Sequence, residues 1–244
     1  MKHHRALLGL GLVAAIAACA PQEQEAPETA PMPEPVGEVM TEAAQAALTP
    51  QAVFAELKEG NQRFVDGRLT PRDYKAQAAA TAAGQYPKAA VLSCLDSRVP
   101  PEIVFDQGIG DLFVGRVAGN FENADLLGSL EFATAVAGVP LIVVLGHTSC
   151  GAIKGAVAGV ELGNLTAMLD NFDEVLETVR AIQENADAVG DEVIRAAIEE
   201  NVRKTMGDIL GSSDVISGLV DSGDLGIVGG VYDLATGQIV WLES

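Results

Sequence analysis

The chain predicts an α/β fold, a mostly parallel central sheet with covering helices. Three short apolar runs, residues 89–93, 112–117 and 141–145, have the length and composition of buried strands. Helical patterns lie between and after them, and strands that alternate with helices build parallel βαβ units. Two polar motifs, Cys94-Leu95-Asp96-Ser97-Arg98 and His147-Thr148-Ser149-Cys150, stand where the first and third runs end. Open α/β sheets place their ligand sites just outside strand C-termini.

The elements follow in order. Lys2 and Arg5 precede an apolar run over residues 6–18 that is too short to span a bilayer securely, so residues 1–18 read as a signal peptide. The run ends in Ile16-Ala17-Ala18-Cys19, which resembles the lipobox of bacterial lipoproteins. That resemblance implies cleavage before Cys19 and acylation of its thiol and amine; plain secretory cleavage with a free thiol is the alternative. Ala20 follows where inner-membrane lipoproteins carry aspartate, which implies a periplasmic protein anchored by lipid to the outer membrane. The next stretch is rich in Pro, Glu and Ala and poor in large apolar residues. It cannot bury enough surface to offset its ordering entropy, so residues 19–40 read as a lipidated cysteine and disordered tether.

The folded domain is expected over residues 41–244. Thr49-Pro50 is a helix start, an N-cap followed by Pro at the first helical position. Phe54, Leu57 and Phe64 recur at roughly helical spacing, with Gly60 as an interruption. Further helical patterns cover residues 124–137, 152–160 and a long stretch from 165 to 209. Residues 227–232 and 239–242 flank the turn Ala235-Thr236-Gly237 and read as a closing hairpin. No transmembrane span is expected beyond the signal.

Composition excludes some functions. The formal charge of −19 opposes binding to a nucleic-acid backbone. Aromatic residues are only 5% of the chain, too few for base-stacking platforms.

Of three histidines, two (His3 and His4) fall in the signal, so the domain keeps only His147, beside its two cysteines, Cys94 and Cys150. Two thiolates and an imidazole are three of the four ligands of a tetrahedral zinc site, and an open fourth position distinguishes a catalytic site from a structural one. Two buried structural cysteines, or a disulfide between them, are the bland alternatives. The company argues for metal: His147 at His-x-x-Cys spacing, and the charged pair Asp96 and Arg98 just after Cys94. That pair reads either as a salt bridge in a tight turn or as a carboxylate, held ionised by a guanidinium, that orients a nucleophile. Asp96 could alternatively take the fourth zinc position and close the site. If Gly151 opens the next helix, the helix N-terminus also favours a Cys150 thiolate.

Together these motifs resemble the beta-class carbonic anhydrases. The likeness extends through Gly110-Asp111-Leu112-Phe113-Val114, Arg116-Val117-Ala118-Gly119-Asn120, Gly128-Ser129-Leu130-Glu131-Phe132 and Val228-Gly229-Gly230-Val231-Tyr232. The resemblance implies reversible hydration of carbon dioxide to bicarbonate and a proton by zinc-bound hydroxide. It places Zn2+ on Cys94, His147 and Cys150, and makes Asp96 and Arg98 the catalytic dyad. It assigns substrate binding to Gln85, Phe113, Ala118, Phe132 and the backbone N–H of Gly151, with Phe132 standing where relatives often carry Tyr. It also implies a homodimer or higher even oligomer, with Gln85 and Phe113 supplied across the interface. Members regulated by bicarbonate carry Trp at the position of Val91, so the resemblance implies an open, unregulated site. Hydrolysis of a carbon dioxide analogue such as carbonyl sulfide or carbon disulfide, and a noncatalytic zinc scaffold, are the rival readings. A redox disulfide is a third.

Overall fold

In a computed structural model the described residues are 34–182 and 190–242. The signal segment and Cys19 lie outside them. Five strands form one sheet in the order β2-β1-β3-β4-β5: β1 Ala89–Cys94, β2 Leu112–Val117, β3 Leu141–His147, β4 Gly226–Tyr232 and β5 Ile239–Trp241. The first four pair in parallel and β5 closes the edge as an antiparallel hairpin. The expected α/β architecture is therefore the observed one.

The inner strands are apolar throughout because both of their faces are covered. Ala90, Leu92, Ile142 and Val144 face one core, together with helices α8 (Asp173–Ile182) and α9 (Asp191–Ser212). Val91, Leu141, Val143 and Leu145 face the other, against Val53 and Leu57 of helix α2 (Pro50–Val65). Helix α2 starts as the sequence predicts: Thr49 caps the N–H of Ala52 at 3.2 Å and Pro50 takes the first turn. Gly60 does not interrupt it. A Cβ there would lie 1.9 Å from the Phe105 carbonyl oxygen, so glycine is present to let the helix approach that backbone.

Other expectations are corrected. Ahead of Thr41, Val36 bridges to Arg72 and its carbonyl accepts from the Asp73 N–H at 3.0 Å. The helix over residues 124–137 is α5 (Ala124–Glu131) continued by one π-type turn, Phe132–Val136. The long stretch from residue 165 is broken into α7 (Asn164–Leu169), a 3₁₀ turn, α8 and then α9. Three further short helices, α1 (Glu42–Gln45), α3 (Tyr74–Thr81) and α4 (Pro101–Val104), precede β2, and α10 (Asp214–Ser222) precedes β4. Among the described residues no helix is long and apolar enough to cross a membrane.

The strand order fixes where a ligand would sit. The chain leaves β1 toward β2 on one side and leaves β3 toward β4 on the other. The connecting segments diverge and open a crevice between the C-terminal ends of β1 and β3. Cys94 is the last residue of β1, and His147 is the last residue of β3.

Candidate metal centre

His147 ends its strand fully buried. Its Nδ1 lies 2.9 Å from the Thr148 carbonyl oxygen, a contact that assigns the ring proton to Nδ1. Its Nε2 is buried and has no hydrogen-bond partner among the described residues. Thr148 is held in turn, its N–H on the Tyr232 carbonyl at 2.9 Å and its Oγ1 accepting from the Leu234 N–H at 3.0 Å. Ser149 then adopts a left-handed backbone, φ 57°. That conformation costs on the order of 1 kcal/mol in a non-glycine residue. It turns the chain tightly enough to bring Cys150 back beside His147. Cys150 caps helix α6 (Gly151–Val157), and Gly151 is the first helical residue as expected.

The Sγ atoms of Cys94 and Cys150 and a ring nitrogen of His147 all lie within 4.8 Å of one another. Both cysteines are free thiols, so the disulfide alternative is not formed. Cys94 receives the Gly119 N–H on its sulfur at 3.3 Å. Its thiol is pulled down to about 4, first by its hydrogen bond with Cys150, and Cys150 is pushed up by that same partnership and by burial. The two sulfurs thus lie within hydrogen-bond reach, a thiol proton of one directed at the other. N–H groups at the start of α6 do favour the Cys150 thiolate, but they are outweighed. A bound cation would take the place of that proton and favour both thiolates. Two sulfurs and an unpartnered imidazole nitrogen at this spacing fit a tetrahedral metal ion, with the fourth position left over.

Asp96 stands next to this cluster, its Oδ2 3.8 Å from His147 Nε2. Arg98 grips the carboxylate with both arms, Nε to Oδ1 at 2.9 Å and Nη2 to Oδ2 at 2.7 Å. The Arg98 guanidinium holds the Asp96 carboxyl well below the usual carboxylate range, against the opposing effect of burial. Arg116, to which sequence reasoning gave no role, braces the same turn by donating to the carbonyls of Cys94 at 2.9 Å and Asp96 at 2.5 Å.

The family profile described as "Carbonic anhydrase" matches residues 89–239, a span that contains both strand-end motifs. Carbonic anhydrase 2 of Mycobacterium tuberculosis is 41% identical over 194 residues, covering 78% of this chain and 92% of that one. The chain belongs to the beta-class carbonic anhydrase family. It is an enzyme of the carbonic anhydrase type. The solved beta-carbonic anhydrase CcaA superposes with a TM-score of 0.64 at 26% identity, over 78% of this chain and 95% of that one. A Coccomyxa beta-carbonic anhydrase, solved in complex with acetazolamide, gives 0.63 at 25% identity over 78% and 86%.

Within one subunit of this carbonic anhydrase the remaining expected site residues divide. Ala118 follows directly on Val117, the partner of Cys94 in the sheet register, and so sits beside the cluster. Gln85 is exposed in the loop before β1, at the opposite end of a strand whose rise is roughly 20 Å. Phe113 pairs with Ala90 at that far end and packs against Phe132 at 6.2 Å. The two rings line an apolar hollow of about 200 Å³ with Leu92, Leu126 and Leu130, and none of the three sulfur and nitrogen ligands lines it. Phe132 is 53% exposed. The fold thus gathers Cys94, His147, Cys150, Asp96, Arg98, Ala118 and Gly151 at one end of the sheet, and leaves Gln85, Phe113 and Phe132 away from it.

Proposed function

We propose that this protein binds zinc through Cys94, His147 and Cys150 and interconverts carbon dioxide with bicarbonate and a proton. The observation that carries the reading is the buried, unpartnered Nε2 of His147 beside two free thiols, a donor set suited to zinc. Bound there, zinc supplies an acidified water as the nucleophile near neutral pH. Asp96, kept ionised by Arg98, would accept a hydrogen bond from the attacking oxygen and so aim its lone pair at the substrate carbon. Ala118 offers an apolar wall, and the Gly151 N–H a donor to the product anion. The test is carbon dioxide hydration by the purified protein alongside its zinc content. Carbonyl sulfide and carbon disulfide run beside it decide the substrate: faster turnover of either would reassign it.

The second subunit completes the pocket in this proposal. Gln85, Phe113 and Phe132 lie away from their own metal centre, and an apolar residue as exposed as Phe132 is suited to burial against another chain. A homodimer or higher even oligomer is expected in sedimentation, and a fully active monomer would remove the shared pocket. We further propose export to the periplasm with Cys19 acylated, which rests on Lys2, Arg5, the apolar residues 6–18 and the small residues before Cys19. Multiple acyl chains anchor firmly where one does not. Cys19→Ser is expected to release the protein from membranes without lowering its activity. An acyl-free wild type by mass spectrometry would end that proposal.

Proton export follows from a count. Outside residues 1–18 the chain has one histidine, His147, with Nδ1 on a carbonyl and Nε2 directed at the metal ligands. No imidazole remains to carry protons to solvent near neutral pH. The maximal hydration rate is therefore expected to rise with imidazole-type buffer concentration, and to increase between about pH 7 and 9. Asp96 contributes no step in that window, because its lowered pKa leaves it ionised throughout. A buffer-independent rate already level at pH 7 would assign the proton to another group.

A further inference from the structure

Helix α9 turns a stripe of apolar side chains into the core, among them Ala197, Ile198, Val202, Met206 and Ile209. Asn201 lies within that stripe and is only 2% exposed. A buried amide is destabilising unless its hydrogen bonds are made. Its Nδ2 donates to the Gly119 carbonyl at 2.8 Å, across 82 residues of sequence. The N–H of that same Gly119 donates to Cys94 Sγ at 3.3 Å. Gly119 adopts φ 88°, and a Cβ on it would meet the Phe172 ring at 2.3 Å, so the loop has one narrow way to pass. The helix reaches this loop because Gly146 on β3 and Gly229 on β4 lie beneath it. A Cβ at either would come within 2.7 Å of Val202.

From this arrangement we infer that Asn201 is a positioning residue for the metal centre. It pins the Gly119 carbonyl and thereby keeps the Gly119 N–H on the Cys94 sulfur. An N–H···S bond stabilises charge on the thiolate and fixes the direction in which its remaining lone pairs point. Asn201 touches no ligand atom and acts only through Gly119. The inference rests on the zinc reading above.

The test uses the full chain and two substitutions, Asn201→Leu, of similar size without a donor, and Asn201→Ala. Zinc affinity is read by competition with a chromophoric chelator, and the sulfur-to-metal charge-transfer band is read in the cobalt(II) form. Loss of an outer-sphere hydrogen bond of this kind weakens metal binding about 10- to 100-fold. The variants are expected to show that loss, and the cobalt band to move to longer wavelength as the sulfur loses its donor. Asn61→Ala is the control. Asn61 is also buried and donates to two carbonyls, Val104 at 3.2 Å and Gly237 at 2.9 Å, in the core on the other face of the sheet. It is expected to lower the melting temperature while leaving affinity and band unchanged.

Wild-type affinity and an unshifted band in folded Asn201 variants would overturn the inference and leave the zinc reading intact. So would an equal change in Asn61→Ala, which would show a general structural effect. A wild type that binds no zinc would overturn both readings. A measurement on the wild type covers the case in which neither variant folds. In the cadmium-113 form the Gly119 amide proton is expected to couple to the metal through the sulfur, and absence of that coupling would remove the link the inference needs.

Discussion

Replacing Cys94, His147 or Cys150 by alanine is expected to abolish both zinc binding and carbon dioxide hydration. Each supplies one of three protein donors, and two donors hold zinc far too weakly to retain it through purification. The three sites are buried, so truncation also leaves a cavity and lowers stability by about 2 to 4 kcal/mol. Activity alone would confuse the two effects. The decisive measurement is therefore zinc per chain in material shown by circular dichroism to be folded, with hydration followed in the same sample. A folded, zinc-free Cys150→Ala protein with full activity would end the metal reading.

Asp96→Asn is expected to leave zinc in place and slow hydration by about 100-fold or more. Asparagine keeps the shape, but it loses the charge that accepts the nucleophile's hydrogen bond and grips Arg98. The loss belongs in the rate and not in stability. Arg98 is 58% exposed, and an ion pair that open to solvent contributes little to folding. Stopped-flow hydration with zinc analysis and a melting curve separates the outcomes. A wild-type rate would reduce the pair to a structural brace of the turn. A melting point lowered as steeply as the rate would do the same.

The strands that carry the site were legible because their signals are local. Residues 89–93 and 141–145 are continuous apolar runs that end in chemically unusual motifs, and β1 and β3 lie there, β3 reaching two residues further to His147. The helix start at Thr49-Pro50 was legible for the same reason, since a cap is decided within four residues. The break at the 3₁₀ turn Asp170–Phe172 was not, because helical apolar spacing carries on through it. Nor was the role of Gly60, whose close neighbour is the Phe105 backbone 45 positions away. Asn201 did leave a signal, a polar residue at helical spacing within an apolar stripe, but nothing in the sequence names the carbonyl it needs.

The sequence by itself determined the chemistry: two cysteines and one histidine as the soft donors, an Asp96–Arg98 pair two residues beyond the first, and strands short and apolar enough to bury them. Those properties depend on residue type and on spacing over a few positions. Only the tertiary structure decided that β1 and β3 are neighbours although β2 lies between them in the chain, which is what brings Cys94 to His147 and Cys150. It also decided that helix α9, which begins only at Asp191, rests on Gly146 and Gly229 and fastens the Gly119 loop over the Cys94 sulfur. Such contacts depend on which apolar faces meet and how closely. Packing of distant segments settles that, and no local pattern encodes it.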